Sequence, residues 1–169
     1  MRVLAIDPGP RKSAYCFVEN GWPHAGDICG NEELKWRNAS EDQSAVTLVI
    51  ERMACFGMPV GQEVFDTVFN YGRLVESWES RGGSWAFLTR GEVKMHICKS
   101  MRAKDANIRQ ALLDRFGGKE KAIGKKKNPG PLYGFRADMW SALAIGLTYC
   151  DICSSQKITT TALDNLSRR

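Results

Sequence analysis

Two short apolar runs, each followed at once by a carboxylate, most constrain the fold of this chain. Residues 46–50 are apolar or β-branched throughout, which is typical of a central strand, and Glu51 comes next. Residues 2–6 form a second run that ends at Asp7, and the following Pro8-Gly9-Pro10 predicts a turn. Both runs are therefore predicted to be buried strands, and an acidic side chain follows each of them.

The rest of the chain shows alternating strand and helix patterns. Further strands are predicted at residues 13–18, 24–29 and 85–88. Apolar spacing and capping residues predict helices at residues 63–80, 105–116 and 136–150. Polar or Lys-, Gly- and Pro-rich composition predicts loops at residues 31–43 and 119–134. This order predicts a single α/β domain over residues 1–153, with a mixed five-stranded sheet flanked by helices, and a polar C-terminal tail over residues 154–169.

Length and composition favour a cytoplasmic protein with one domain. The chain has 169 residues, and none of its apolar runs approaches the roughly 18–20 residues that span a bilayer. Asp7 interrupts the apolar stretch that a signal peptide needs, so neither secretion nor a membrane partner is expected.

Among the six cysteines only Cys150 and Cys153 form a close pair. A zinc ribbon needs two such pairs, so the cysteines do not favour a structural zinc site.

Basic residues are concentrated in one part of the sequence. The net charge is +5, but residues 89–136 hold 13 Lys or Arg and 4 Asp or Glu, a local charge of +9. A solvated face rarely needs such segregation, so a polyanion such as nucleic acid is the favoured partner. The candidate DNA-binding residues of this segment are Lys94, Lys99, Arg102, Lys104, Arg109, Lys125, Lys126, Lys127 and Arg136.

Three carboxylates are placed where they could form one site. Asp7 and Glu51 follow predicted strands, and Asp138 lies in the first turn of the last predicted helix. Taken singly, they suit a turn, a solvated strand end and a helix dipole. Carboxylates that converge repel one another unless a cation neutralises them, and Mg²⁺ prefers oxygen ligands. Their joint placement beside a cationic segment favours a metal site that acts on a phosphate backbone.

Several motifs, in order, resemble those of RuvC-type Holliday junction resolvases, and especially the phage-borne branch of that family. The first two are LAIDPG at residues 4–9 and VIERM at residues 49–53. The basic segment contributes EVK at residues 92–94 and RAKDANIRQAL at residues 102–112. The last two are PGPLYG at residues 129–134 and DMWSALAIG at residues 138–146. The resemblance extends from about residue 2 to residue 150.

This resemblance implies a ribonuclease H-like fold, a homodimer, and paired nicks across a four-way DNA junction in a bacterial or phage-infected cell. It also implies dependence on Mg²⁺ or Mn²⁺, with two ions in each active site. By motif match, Asp7, Glu51 and Asp138 would be the catalytic metal ligands. Lys94 and Lys104 match catalytic lysines that approach the scissile backbone.

The chain departs from the family pattern on the last helix and matches it only loosely near Glu51. The family commonly has a second acidic residue three positions after Asp138, where this chain has Ser141. Residues three apart share a helix face, so Ser141 is a candidate metal ligand, although a hydroxyl is weaker than a carboxylate. Asp66 is a candidate to supply the missing acid. Phe56 lies near the position of an aromatic wedge that opens the junction in some members, but a core or interface aromatic is an equal interpretation.

The helix predicted at residues 63–80 is the candidate dimer interface. Its apolar side chains exceed what one core face requires, but burial within the monomer is an alternative. The residues assigned to the interface are Phe69, Tyr71, Leu74 and Trp78.

Other functions share parts of this pattern. A less selective nuclease for flaps and other branched DNA would use the same residues. A junction-binding protein with weak or no catalysis would not need clustered carboxylates. A ribonuclease for precursor ribosomal RNA would share the fold without the basic segment.

Overall fold

A mixed five-stranded sheet forms the centre of the computed structural model, which describes residues 1–39, 42, 44–55 and 57–166. Its strands are β1 (Arg2–Asp7), β2 (Lys12–Glu19), β3 (Trp22–Gly30), β4 (Val46–Arg52) and β5 (Trp85–Thr89). The order across the sheet is β3-β2-β1-β4-β5. The first three strands pair antiparallel, and β4 and β5 join them in parallel. The mixed five-stranded sheet predicted from the sequence is confirmed.

Helices cover both faces of this sheet. They are α1 (Asn31–Ala39), α2 (Gln62–Glu79), α3 (Arg90–Cys98), α4 (Asp105–Arg115), α5 (Lys119–Ile123) and α6 (Met139–Leu166). A small hairpin of β6 (Gly124–Lys125) and β7 (Asn128–Pro129) lies between α5 and α6. Within the described residues, no helix combines the length and the apolar character needed to span a membrane.

Alternating side chains of the strands build two separate cores. On β1, Val3 and Ala5 pack with α4 and α6, whereas Leu4 and Ile6 pack with α2 on the opposite face. The α6 core is tight at Gly146. A Cβ atom there would lie 2.7 Å from Cγ2 of Val18 on β2 and 3.1 Å from Cβ of Ala5. Only glycine allows α6 to lie this close to the sheet.

The α2 face differs from the sequence prediction. Leu74 and Trp78 were assigned to a dimer interface, but they are only 7% and 1% exposed and belong to the monomer core. A different row of the same helix is exposed, with Phe65 at 59% and Phe69 at 67%. Both rows are apolar at helical spacing, so periodicity alone did not identify the buried one.

Three segments contain helices that were not predicted. Residues 31–39 form α1, which the buried Leu34 anchors to the sheet, although this segment was predicted to be a loop. Helix α3 begins with a capping box of Thr89 and Glu92, which favours a helix despite weak amphipathicity. The predicted loop at residues 119–134 holds α5 and the hairpin. Helix α6 passes the predicted domain boundary at residue 153 and ends at Leu166.

Candidate active site

The carboxyl ends of three parallel strands meet at one edge of the sheet. Ile6 of β1 is paired with Ile50 of β4, so the residues that follow them, Asp7 and Glu51, lie side by side. Both acids have the strand parity of the residues that face α6, because side chains alternate along each strand. Strand β4 pairs in turn with β5, and Arg90 follows the end of β5 at the same edge.

The start of α6 completes this group of residues. Asp138 immediately precedes the helix and is exposed, and Ser141 lies in its first turn. Ser141 forms a side-chain hydrogen bond with Asp7, and the charge of Asp138 acts on Asp7. The structure therefore brings Asp7, Glu51, Asp138 and Ser141 into one region.

Burial and mutual repulsion disfavour the ionised forms of the carboxylates in this group. Burial, with the charges of Glu51 and Asp138 acting in the same direction, raises the pKa of Asp7 to about 7. Burial also raises the pKa of Glu51, although the Arg90 guanidinium opposes this increase. These two carboxylates are therefore placed where an added cation would be stabilising.

Arg90 is the functional residue that the sequence prediction missed. One guanidinium nitrogen, Nη1, donates to Glu51 Oε2 at 3.2 Å and to Ser141 Oγ at 3.1 Å. The other, Nη2, donates to Asp105 Oδ1 at the start of α4. Arg90 directly follows a strand that is parallel to β4. Once β5 is known to be parallel to β4, the argument that placed Asp7 and Glu51 together places Arg90 there as well.

A divalent cation fits these residues in charge and in donor chemistry. Oxygen donors from Asp7, Glu51 and Asp138 suit Mg²⁺ or Mn²⁺. As placed, however, the acidic, histidine and cysteine side chains of the described residues form no cluster of three that is close enough to hold one ion. Asp138 is the exposed member of the three predicted ligands.

Of the two predicted catalytic lysines, Lys94 lies near a carboxylate of the site, and Lys104 is connected with the site only through its neighbour in sequence. Lys94 lies on α3, near enough for its charge to lower the pKa of Glu51 against the effect of burial. Lys104 is exposed and immediately precedes α4, and its backbone N–H donates to Asn107 Oδ1 at 2.9 Å. It is adjacent in sequence to Asp105, the partner of Arg90.

The other predicted DNA-binding residues are on the surface. Lys99, Arg102 and the hairpin lysines 125–127 are exposed. The Arg109 guanidinium stacks on the Trp140 ring at 4.9 Å from its centroid, and Arg136 forms an ion pair with Asp27 at 2.7 Å. A groove of about 750 Å³ leads along α4 to the site, and the residues that line it include Arg109, Lys119, Arg136, Asp138 and Ser141.

Two other candidates are not part of this group. Asp66 is exposed on α2, where its carboxylate accepts a hydrogen bond from Gln62 at 2.9 Å, and no described contact connects it with Asp7 or Glu51. Phe56, the candidate wedge, lies outside the described residues.

Solved structures of Thermus thermophilus RuvC are similar to this chain over most of its length. One matches with a TM-score of 0.63 at 15% sequence identity, covering 88% of this chain and 92% of that chain. This chain has the fold of RuvC. A second structure, T. thermophilus RuvC in complex with a Holliday junction substrate, matches this chain with a TM-score of 0.55 at 16% identity. The match covers 88% of this chain and 91% of that chain. No protein-family model matches the chain, and no curated protein matches it.

Proposed function

We propose that this protein is a metal-dependent endonuclease that resolves four-way DNA junctions by paired phosphodiester hydrolysis. The observation that carries the proposal is that Asp7 and Glu51 lie side by side, with Asp138 near enough for its charge to act on Asp7, beside a cationic surface in a RuvC-like fold. The T. thermophilus RuvC complex with a Holliday junction substrate supports the choice of DNA. The cytoplasm of a bacterial or phage-infected cell is the place where such DNA is encountered.

Asp7, Glu51 and Asp138 would hold Mg²⁺ or Mn²⁺ in this proposal. When bound, the ion supplies an activated water and stabilises charge on the phosphate oxygens. Arg90 would hold Glu51 in a fixed orientation, Lys94 would add a cation near Glu51, and Lys104 would add one next to Asp105 in sequence. The pair of ions predicted from the sequence would need an oxygen donor beside Ser141, where Arg90 now donates.

The exposed basic residues would bind the DNA backbone. The hairpin lysines 125–127 and Arg102 present charge without a described carboxylate partner, and phosphate contacts of this kind provide affinity that does not depend on sequence. Arg109 and Arg136 line the groove that leads to Asp138. A strand lying in this groove would reach Asp138 and Ser141 at the start of α6.

A homodimer would match the symmetry of the junction. Two strands related by a two-fold axis must both be cut, and a C₂ dimer presents two equivalent sites. The exposed row of α2 with Phe65, Val68 and Phe69 is the apolar surface best suited to that contact.

The test is cleavage of a synthetic four-way junction beside matched flap and linear duplex substrates, with Mg²⁺ or with a chelator. We expect paired nicks in the junction in the presence of the ion and none with the chelator. Equal cutting of flaps would favour the general branched-DNA nuclease. Tight junction binding without cutting in Mg²⁺ or Mn²⁺ would refute the enzyme and favour the binding protein.

A further inference from the structure

Arg90 is fixed by three separate parts of the chain. It is the first residue of α3, and its guanidinium reaches Glu51 on β4, Ser141 on α6 and Asp105 on α4. The side chain is 31% exposed and that of Glu51 only 12%. An arginine with both terminal nitrogens engaged in this way is held in one geometry and adds a permanent positive charge to the carboxylate group.

The position of this charge divides the site into two sides. A single nitrogen of Arg90 binds both Glu51 and Ser141, so the guanidinium fills the space between β4 and the first turn of α6. A divalent ion bound there would meet a cation of the same sign at contact distance. Asp7 lies beyond this direct contact, because the described ion pairs of Arg90 are with Glu51 and Asp105. The Arg90 charge lowers the pKa of Asp7 less than burial and Glu51 raise it, and the charge of Asp138 also acts on Asp7.

The geometry points to Arg90 as a built-in cation that replaces one of two metal ions, so that each chain binds a single divalent ion among Asp7, Asp138 and the Glu51 oxygen that Arg90 does not bind. Asp105 is the positioning residue that holds Arg90 in this role. The inference deepens the proposed nuclease function and rests on it. It explains why a neutral Ser141 is compatible with the site, because a hydroxyl accepts a hydrogen bond from Arg90 and adds no charge.

The number of bound ions tests this inference without measuring cutting. Metal-free protein is titrated with Mn²⁺, and the bound ion is counted from the loss of the free-ion EPR signal. We expect one ion for the wild type, one for Ser141→Asp, and one for Arg90→Ala with about tenfold tighter binding, since a like charge is gone. We expect two for the double variant Arg90→Ala/Ser141→Asp, which has the extra carboxylate and lacks the arginine.

Each outcome has a defined meaning. Two ions in the wild type, or one in the double variant, would overturn the inference and leave the proposed nuclease standing. No ion in any variant would overturn both. Arg73→Ala is the matched control, because it frees Glu32 from a similar ion pair of 2.6 Å between α2 and α1. It should leave the count at one, and thermal unfolding should show that every variant is folded.

The positioning role of Asp105 has its own test. Asp105→Asn should lower the rate constant for cutting about fivefold or more, leave the junction Kd unchanged, and be largely rescued by Asp105→Glu. In an Arg90→Ala background, Asp105→Asn should have no further effect, because the residue acts through Arg90. An equal loss of rate in that background would overturn the positioning role.

Discussion

The two faces of the sheet are packed in different ways. On one face, α6 lies so close to β1 and β2 that only a glycine fits at residue 146, and this face also carries the buried carboxylates. On the other face, α2 buries Leu74 and Trp78 and leaves a second apolar row exposed. The α6 face is thus closely packed within one chain and holds excess negative charge. The α2 face instead has apolar surface left exposed.

Asp7→Asn should produce the largest effect, and it acts on the α6 face. We expect cutting to fall by at least about a thousandfold, because the variant loses a metal ligand, whereas junction binding should be retained. The metal-free variant should also be more stable than the wild type at pH 8.

The reason for this gain is the raised pKa of Asp7. The folded state holds the Asp7 proton up to about pH 7 and the unfolded state only to its usual value of 3.8. Stability of the metal-free wild type therefore falls as the pH rises from about 4 to 7, by at most roughly 4 kcal/mol at about 1.4 kcal/mol per pKa unit. Urea unfolding from pH 4 to 8 measures this slope, which should be smaller in Asp7→Asn. An identical slope would mean that Asp7 is not the source.

Gly146→Val should show that a substitution on the α6 face affects stability more than one on the α2 face. The new side chain would collide with Val18 and Ala5, and we expect a loss of about 3 kcal/mol in the free energy of unfolding. Gly72→Ala on α2 is the matched control. Its Cβ meets no atom within 4 Å, so replacing a helical glycine should stabilise the protein by up to about 1 kcal/mol. Equal effects at both positions would contradict the difference in packing.

Phe69→Glu should show that the α2 face, unlike the α6 face, contributes to dimer formation. The side chain is exposed in the monomer, so its unfolding free energy should change little, whereas the dimer should dissociate at least about a hundredfold more readily, since the change removes an interface aromatic. Sedimentation at micromolar concentration measures this. Leu74→Glu, in contrast, should unfold the chain because it buries a charge. A monomeric wild type, even on junction DNA, would rule out the proposed interface.

Replacing Lys125, Lys126 and Lys127 together with alanine should have the smallest effect. These exposed side chains lie away from both cores, so stability and the metal count should not change. The dependence of log K on log salt should become shallower by about 2–3, just under one for each lost phosphate contact. An unchanged slope would mean that the hairpin lysines are solvated and do not contact the DNA backbone.

The sequence predicted the five strands well because their signal is local. Residues 46–50 needed no partner to be identified as a buried strand, and Glu51 followed from them. Arg90 was counted only within the basic segment, because its role depends on β5 being parallel to β4 and on α6 packing across them. The exposed row of α2 was predicted only in part, through Phe69, for a similar reason. Which of two apolar rows is buried depends on the sheet, and a helix sequence does not contain that information.

The contacts of Arg90 also bear on when the chain acquires activity during its synthesis. Arg90 is 39 residues from Glu51 and 51 residues from Ser141 in sequence, so both contacts close long loops. Asp138 and Ser141 are translated after all five strands of the sheet. Under the proposed function, a nascent chain that has not yet released α6 would already carry the basic segment, and its charge would attract DNA. Such a chain would lack the assembled carboxylates, so binding would precede the ability to cut until the last helix docks.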